Sequence, residues 1–201
     1  MKIDKKKIIQ FVPRLPSIIF SSTVISIVST ILLINNIEQL GLILSTIFFY
    51  IITPVLAYYY LKKTGLITDK KFNFNIIKRE ERVVYNIILL LGFLTNYILL
   101  SFYDTPVVQE IALLLLLSFT AFTIVTMFWK ISGHMTQTVL IILIFAYIFN
   151  DIWIYIILIG YLICIPLVGY SRLKFKHHDI WQVIAGTLLT SLIGFLSLTI
   201  F

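Results

Sequence analysis

The chain predicts an all-α fold, a polytopic bundle of transmembrane helices, on three observations. Of its 201 residues 60% are hydrophobic and 12% charged, and the mean hydropathy is +1.02, outside the range of soluble domains. The apolar residues gather in runs, most of them long enough to cross about 30 Å of hydrocarbon. The polar islands between them are too short to bury a core of their own. The expectation is one integral membrane domain over residues 1–201 with seven spans, six being the alternative.

Residues 1–17 form a basic lead containing Pro13 and Pro16. Ile18–Ile34 is the first run, seventeen residues long. No small-residue cleavage site follows it, so it reads as a retained span and not a signal sequence. Asn35, Asn36 and Glu38 turn the chain. Leu40–Leu61 returns, with Pro54 expected to kink it and Tyr58, Tyr59 and Tyr60 placed as an interfacial belt. A polar loop covers residues 62–82. Val83–Phe102 and Val107–Phe128 are joined by a tight turn in which Pro106 starts the next helix. Thr136–Phe149 is short, and becomes a span if its helix begins at or just before His134. Asn150 and Asp151 turn the chain, Ile152–Gly169 crosses back, and Trp181–Phe201 is the last run. Cys164, the single cysteine, has no intrachain partner.

Seven spans put all sixteen lysines and arginines on one side and leave Glu38, Asp104, Glu110 and Asp151 on the other. The positive-inside rule then makes the basic side cytoplasmic, in the plasma membrane of a prokaryote. The net charge of +7 has no soluble basic domain to carry a nucleic-acid function, so anionic lipid headgroups are the expected partner.

Three polar islands fall on the basic side: Lys78-Arg-Glu-Glu-Arg82, Lys130-Ile-Ser-Gly-His134, and Ser171-Arg-Leu-Lys-Phe-Lys-His-His-Asp-Ile-Trp-Gln182. Each alone has a plain reading as a solvated helix face, a capping sequence or a cytoplasmic loop. Together they supply what phosphoryl transfer needs. That is several cationic donors around the equatorial oxygens, a nucleophile, an acid for the leaving oxygen, and helix N-termini.

These residues resemble the type 2 phosphatidic acid phosphatase superfamily, which carries Lys-x6-Arg-Pro, Pro-Ser-Gly-His and Ser-Arg-x5-His-x3-Asp motifs in that order. Ser171, Arg172 and His178 fit the third motif, with Gln182 where the family has aspartate. Ser132, Gly133 and His134 fit the second, with Ile131 in place of proline. The first is degraded: Arg82 precedes Val83, Asn75 stands seven residues earlier, and Arg79 is the preferred source of the missing charge.

The resemblance implies a membrane-embedded, metal-independent phosphatase without a cofactor. It would hydrolyse a lipid phosphate or prenyl diphosphate. His178 would be the nucleophile that becomes phosphohistidine, and His134 the general acid and then base. Arg79, Arg82, Lys130, Ser132, Gly133, Ser171 and Arg172 would hold the phosphoryl group. Gln182, one helical turn from His178, would orient its imidazole through the amide oxygen without lending negative charge. Two alternatives use the same residues: a membrane protein that binds or transports a lipid phosphate without cleaving it, and a metal site of His134, His177 and His178. The crowd of cations argues against the metal.

Overall fold

The computed structural model describes residues 40–68, 76 and 78–200, and among them all regular structure is helical. The helices are α1 (Gly41–Lys63), α2 (Arg79–Leu100), α3 (Pro106–Phe128), α4 (Gly133–Ile148), α5 (Asn150–Lys174) and α6 (Ile180–Ile200). Five of them, all but α4, are long and apolar enough to cross a membrane. They mark an integral membrane protein built as a helical bundle. The expected first span, Ile18–Ile34, lies outside the described residues.

Helix α4 is the short one. It begins at Gly133, just ahead of His134, and its 16 residues span about 24 Å. A helix that is apolar on every side belongs inside a bundle rather than against lipid, and Val139, Leu140, Ile141, Leu143 and Ile144 form a core with Ile111 and Leu114 of α3. The inner face of α6 is Val183, Gly186, Thr190, Gly194 and Ser197, all buried. Small residues there let the two helices approach closely. At Gly186 the approach excludes a side chain, since a Cβ would stand 2.6 Å from the Ser132 carbonyl oxygen. The outward faces are as apolar as the core, with Leu44, Leu91, Leu162, Leu188 and Phe195 exposed, as a hydrocarbon solvent permits.

Proline shapes two of the long helices. Ahead of Pro54 and Pro166 the backbone widens into π turns, Phe48–Ile52 in α1 and Gly160–Cys164 in α5, because each ring removes an N–H donor and crowds the preceding turn. The expected tyrosine belt is divided: Tyr59 and Tyr60 are exposed, whereas Tyr58 turns inward, its ring 6.4 Å from that of Tyr85. Consecutive residues on a helix point in different directions, so three in a row cannot share one face.

The polar islands come to one end of the bundle, where α1, α3 and α5 finish and α2, α4 and α6 begin. Arg79 reaches the Phe128 carbonyl, Arg82 the Ile131 carbonyl, and the Ser132 N–H the Gln182 carbonyl. Every lysine and arginine among the described residues is at this end, and Asp104, Glu110 and Asp151 are at the other.

Candidate functional site

Helix α2 starts at Arg79, one turn earlier than the apolar pattern places it, so Arg82 sits in a helical first turn. Its buried guanidinium donates from Nη1 to the Ile131 carbonyl at 3.1 Å and from Nη2 to the Ile76 carbonyl at 3.0 Å. The first of these bonds fixes the short link between α3 and α4 from one side. From the other, the Ser132 N–H donates to the Gln182 carbonyl at 3.0 Å. Held between α2 and α6, the link delivers Ser132 to the start of α4.

Ser132 is at the N-cap of α4, with extended backbone, yet its hydroxyl makes no capping bond. The side chain is fully buried and Oγ has no hydrogen-bond partner among the described residues. The Ser132 carbonyl accepts the N–H groups of Met135 and Thr136. Gly133 and His134, the first two residues of the helix, are left with N–H groups that make no such bond among the described residues. A fully buried hydroxyl and two free amides at a helix N-terminus form a cluster of donors with no acceptor, and the helix dipole adds roughly +0.5 charge there.

The third island is divided among three elements. Ser171 and Arg172, both buried, belong to the last turn of α5. That helix closes with the His177 N–H donating to the Arg172 carbonyl and the Lys176 N–H to the Leu173 carbonyl. Asp179 then starts α6, its Oδ1 accepting the Gln182 N–H at 2.9 Å. Between the two helices His178 is buried, its Nδ1 2.8 Å from Gln182 Oε1. An amide oxygen can only accept, so Nδ1 carries the proton and Nε2 presents a lone pair. The i, i+4 spacing read from the sequence produces this contact.

Electrostatics ties the groups together. Arg82, Lys130 and Arg172 act on His178, and Arg172, His178, Arg82 and His177 act on the half-buried His134. Burial pushes the His178 imidazole down to about 4, its bond to Gln182 opposes that shift, and Arg82, Lys130 and Arg172 each add a smaller push downward. Its ring is therefore neutral near pH 7. Burial and then Arg82 lower the Lys130 ammonium below the ordinary lysine value. Arg79 is differently placed: exposed, it donates to the Phe128 carbonyl at 3.0 Å and to the Glu80 carboxylate at 3.2 Å. No three His, Cys, Asp or Glu side chains among the described residues gather as metal ligands would.

Two participants fall outside the motif spacing. Asp179 caps α6, and the signal for it was the Asp-x-x-Gln pattern at a helix start. Gly186, one turn beyond Gln182, makes room for the Ser132 carbonyl, and nothing in a single sequence distinguishes it from other glycines in apolar runs. Comparison with family models, characterised proteins and solved structures gives no match.

Proposed function

We propose that this chain is a membrane phosphatase acting on a lipid phosphate or prenyl diphosphate, a divergent member of the type 2 phosphatidic acid phosphatase superfamily. The observation that carries this reading is the uncapped start of α4. There the fully buried Ser132 hydroxyl and the amides of Gly133 and His134 have no acceptor among the described residues, at the end of the bundle that also carries both imidazoles and the buried arginines. A phosphoryl group supplies the missing acceptors, and Arg82, Lys130 and Arg172 balance its charge. Ser171, buried in the last turn of α5, lies at the same end of the bundle. Arg79 is left out of this set because its guanidinium already faces Phe128 and Glu80.

His178 Nε2 attacks phosphorus in line with the lipid oxygen. As the N–P bond forms, the P–O bond to the lipid breaks and His134 gives its proton to the departing oxygen. Burial and Arg172 hold this imidazole neutral until the substrate binds, and the negative charge of the bound phosphoryl group is what protonates it. Water then attacks the phosphohistidine while His134 takes a proton from it, the N–P bond breaks, and inorganic phosphate leaves. Gln182 orients the nucleophile throughout. The lysines and arginines at this end make it cytoplasmic by the positive-inside rule.

The test is purified protein in detergent offered a panel of lipid phosphates, with free phosphate measured. Release that vanadate inhibits, that chelators leave unchanged and that His178→Ala abolishes supports the reading. Release that survives His178→Ala overturns it. A second reading, binding without cleavage, draws on the neutral carboxamide at Gln182 and on Arg82 being held by two carbonyls. It predicts lipid phosphate bound and no phosphate released.

A further inference from the structure

Asn86 stands on α2 one turn below Arg82. It is 3% exposed, and its amide nitrogen Nδ2 has no acceptor among the described residues. Residues four apart share a helix face, and the Ile131 bond turns that face of α2 toward the link leading into α4. The buried threonines of α3 nearest that end, Thr123 and Thr126, direct their hydroxyl protons to their own helix, onto the Phe119 and Phe122 carbonyls. Asn86 is thus a buried, neutral, unmet donor about 6 Å deeper in the bundle than Arg82.

Depth gives this donor a chemical meaning. A lipid whose phosphoryl group lies at the level of Arg82 places its next atoms at the level of Asn86, because its tail continues into the bilayer. A neutral amide donor there suits a neutral acceptor oxygen. A site built to hydrogen-bond such an oxygen discriminates against a ligand that lacks it. We propose that Asn86 is a specificity-determining residue that donates Nδ2–H to an acyl-ester carbonyl of a glycerol-based lipid phosphate, so that the site prefers such a lipid to a prenyl phosphate. The proposal rests on the hydrolase reading above.

The experiment measures kcat/KM for three substrates: a diacylglycerol phosphate, its dialkyl ether analogue, which has no carbonyl oxygens, and a prenyl monophosphate. Wild-type protein is expected to favour the ester lipid over the ether by about tenfold, the ratio that about 1.4 kcal/mol represents. Asn86→Leu is expected to bring the two within about twofold while leaving the prenyl substrate unchanged, with a thermal midpoint equal or higher because an unpaired donor has gone. Equal wild-type rates on ester and ether overturn the assignment without any variant. So does an Asn86→Leu protein that slows all three substrates alike. Wild-type protein that releases phosphate from none of the three overturns the hydrolase reading and this proposal with it.

Discussion

Two helix starts lie side by side in this molecule, joined by the Ser132–Gln182 backbone bond, and they are finished in opposite ways. Helix α6 is capped: Asp179 accepts the Gln182 N–H, the ordinary means of satisfying a first turn. Helix α4 carries serine, an equally good capping residue, yet the hydroxyl stays buried and unused. A cap contributes about 1 kcal/mol, so leaving one unmade is a cost that packing alone does not explain. The capped start serves the stability of α6. On the proposed reading the open start is the one left for an anion.

The largest effect expected from this division is at the capped start. Its imidazole is the proposed nucleophile, so His178→Ala should reduce phosphate release by about 10³-fold or more while the protein still purifies as a folded species. Residual activity within tenfold of wild type would remove His178 from the reaction. Next comes a crossed pair that addresses the comparison directly. Ser132→Ala should lower kcat/KM by about tenfold or more, the contribution of one donor to a charged oxygen, and barely move the thermal midpoint, because no cap is lost. Asp179→Ala should do the reverse, costing about 1 kcal/mol of stability with kcat/KM changed less than about threefold. If the two substitutions exchange these signatures, or behave alike, the distinction between the two starts fails.

Much of this was legible in the sequence, and the remainder was not for identifiable reasons. Apolar runs located α2, α3, α5 and α6 because span length is a strong constraint in a bilayer. They misplaced the start of α2 by a turn because Arg79 to Arg82 look like loop on a hydropathy scale, whereas a helix accepts charge at its end. The contact between His178 and Gln182 followed from spacing alone. The buried state of Arg82, held by Ile76 and Ile131, did not, since both acceptors are backbone carbonyls and leave no trace in residue types. Ser132 was readable as a cap. That the cap is not made could only come from coordinates.

A smaller effect sharpens the comparison by altering the charge beside the nucleophile. His178 must be neutral to attack, and its pKa is pushed down to about 4 by burial, which outweighs the raising effect of its bond to Gln182, with smaller downward pushes from Arg82, Lys130 and Arg172. The acid limb of kcat/KM in the wild type should therefore appear only as the pH falls toward about 4. Gln182→Asp places a carboxylate against Nδ1 and favours the imidazolium, so the limb should move to higher pH. The same charge stabilises the cation that develops on attack, so the rate near pH 7 should rise several-fold, up to about tenfold. A pH profile from 3.5 to 8, roughly the span between carboxylate and thiol titration, reads both. A limb that stays in place or moves downward would mean that residue 182 does not control this imidazole.

The smallest expected effect concerns the turn that joins α5 to the capped helix. The two hydrogen bonds that close α5 are those of a Schellman motif, in which the residue after the C-cap takes a left-handed conformation and is usually glycine. Here it is Lys176, with φ 53°. A β-carbon in that conformation costs about 1–2 kcal/mol, and a glycine gives back about 0.5–1 kcal/mol of that gain through the greater freedom of the unfolded chain. Lys176→Gly should therefore stabilise by up to about 1 kcal/mol, seen as a higher thermal midpoint in detergent. Activity should hold, because the Lys176 side chain is exposed and the cations acting on His178 are Arg82, Lys130 and Arg172. Should Lys176→Gly stabilise the protein and yet lower kcat/KM as far as Ser132→Ala does, the strained lysine belongs to the anion site, and the boundary between the stabilising start and the binding start lies on the wrong side of this turn.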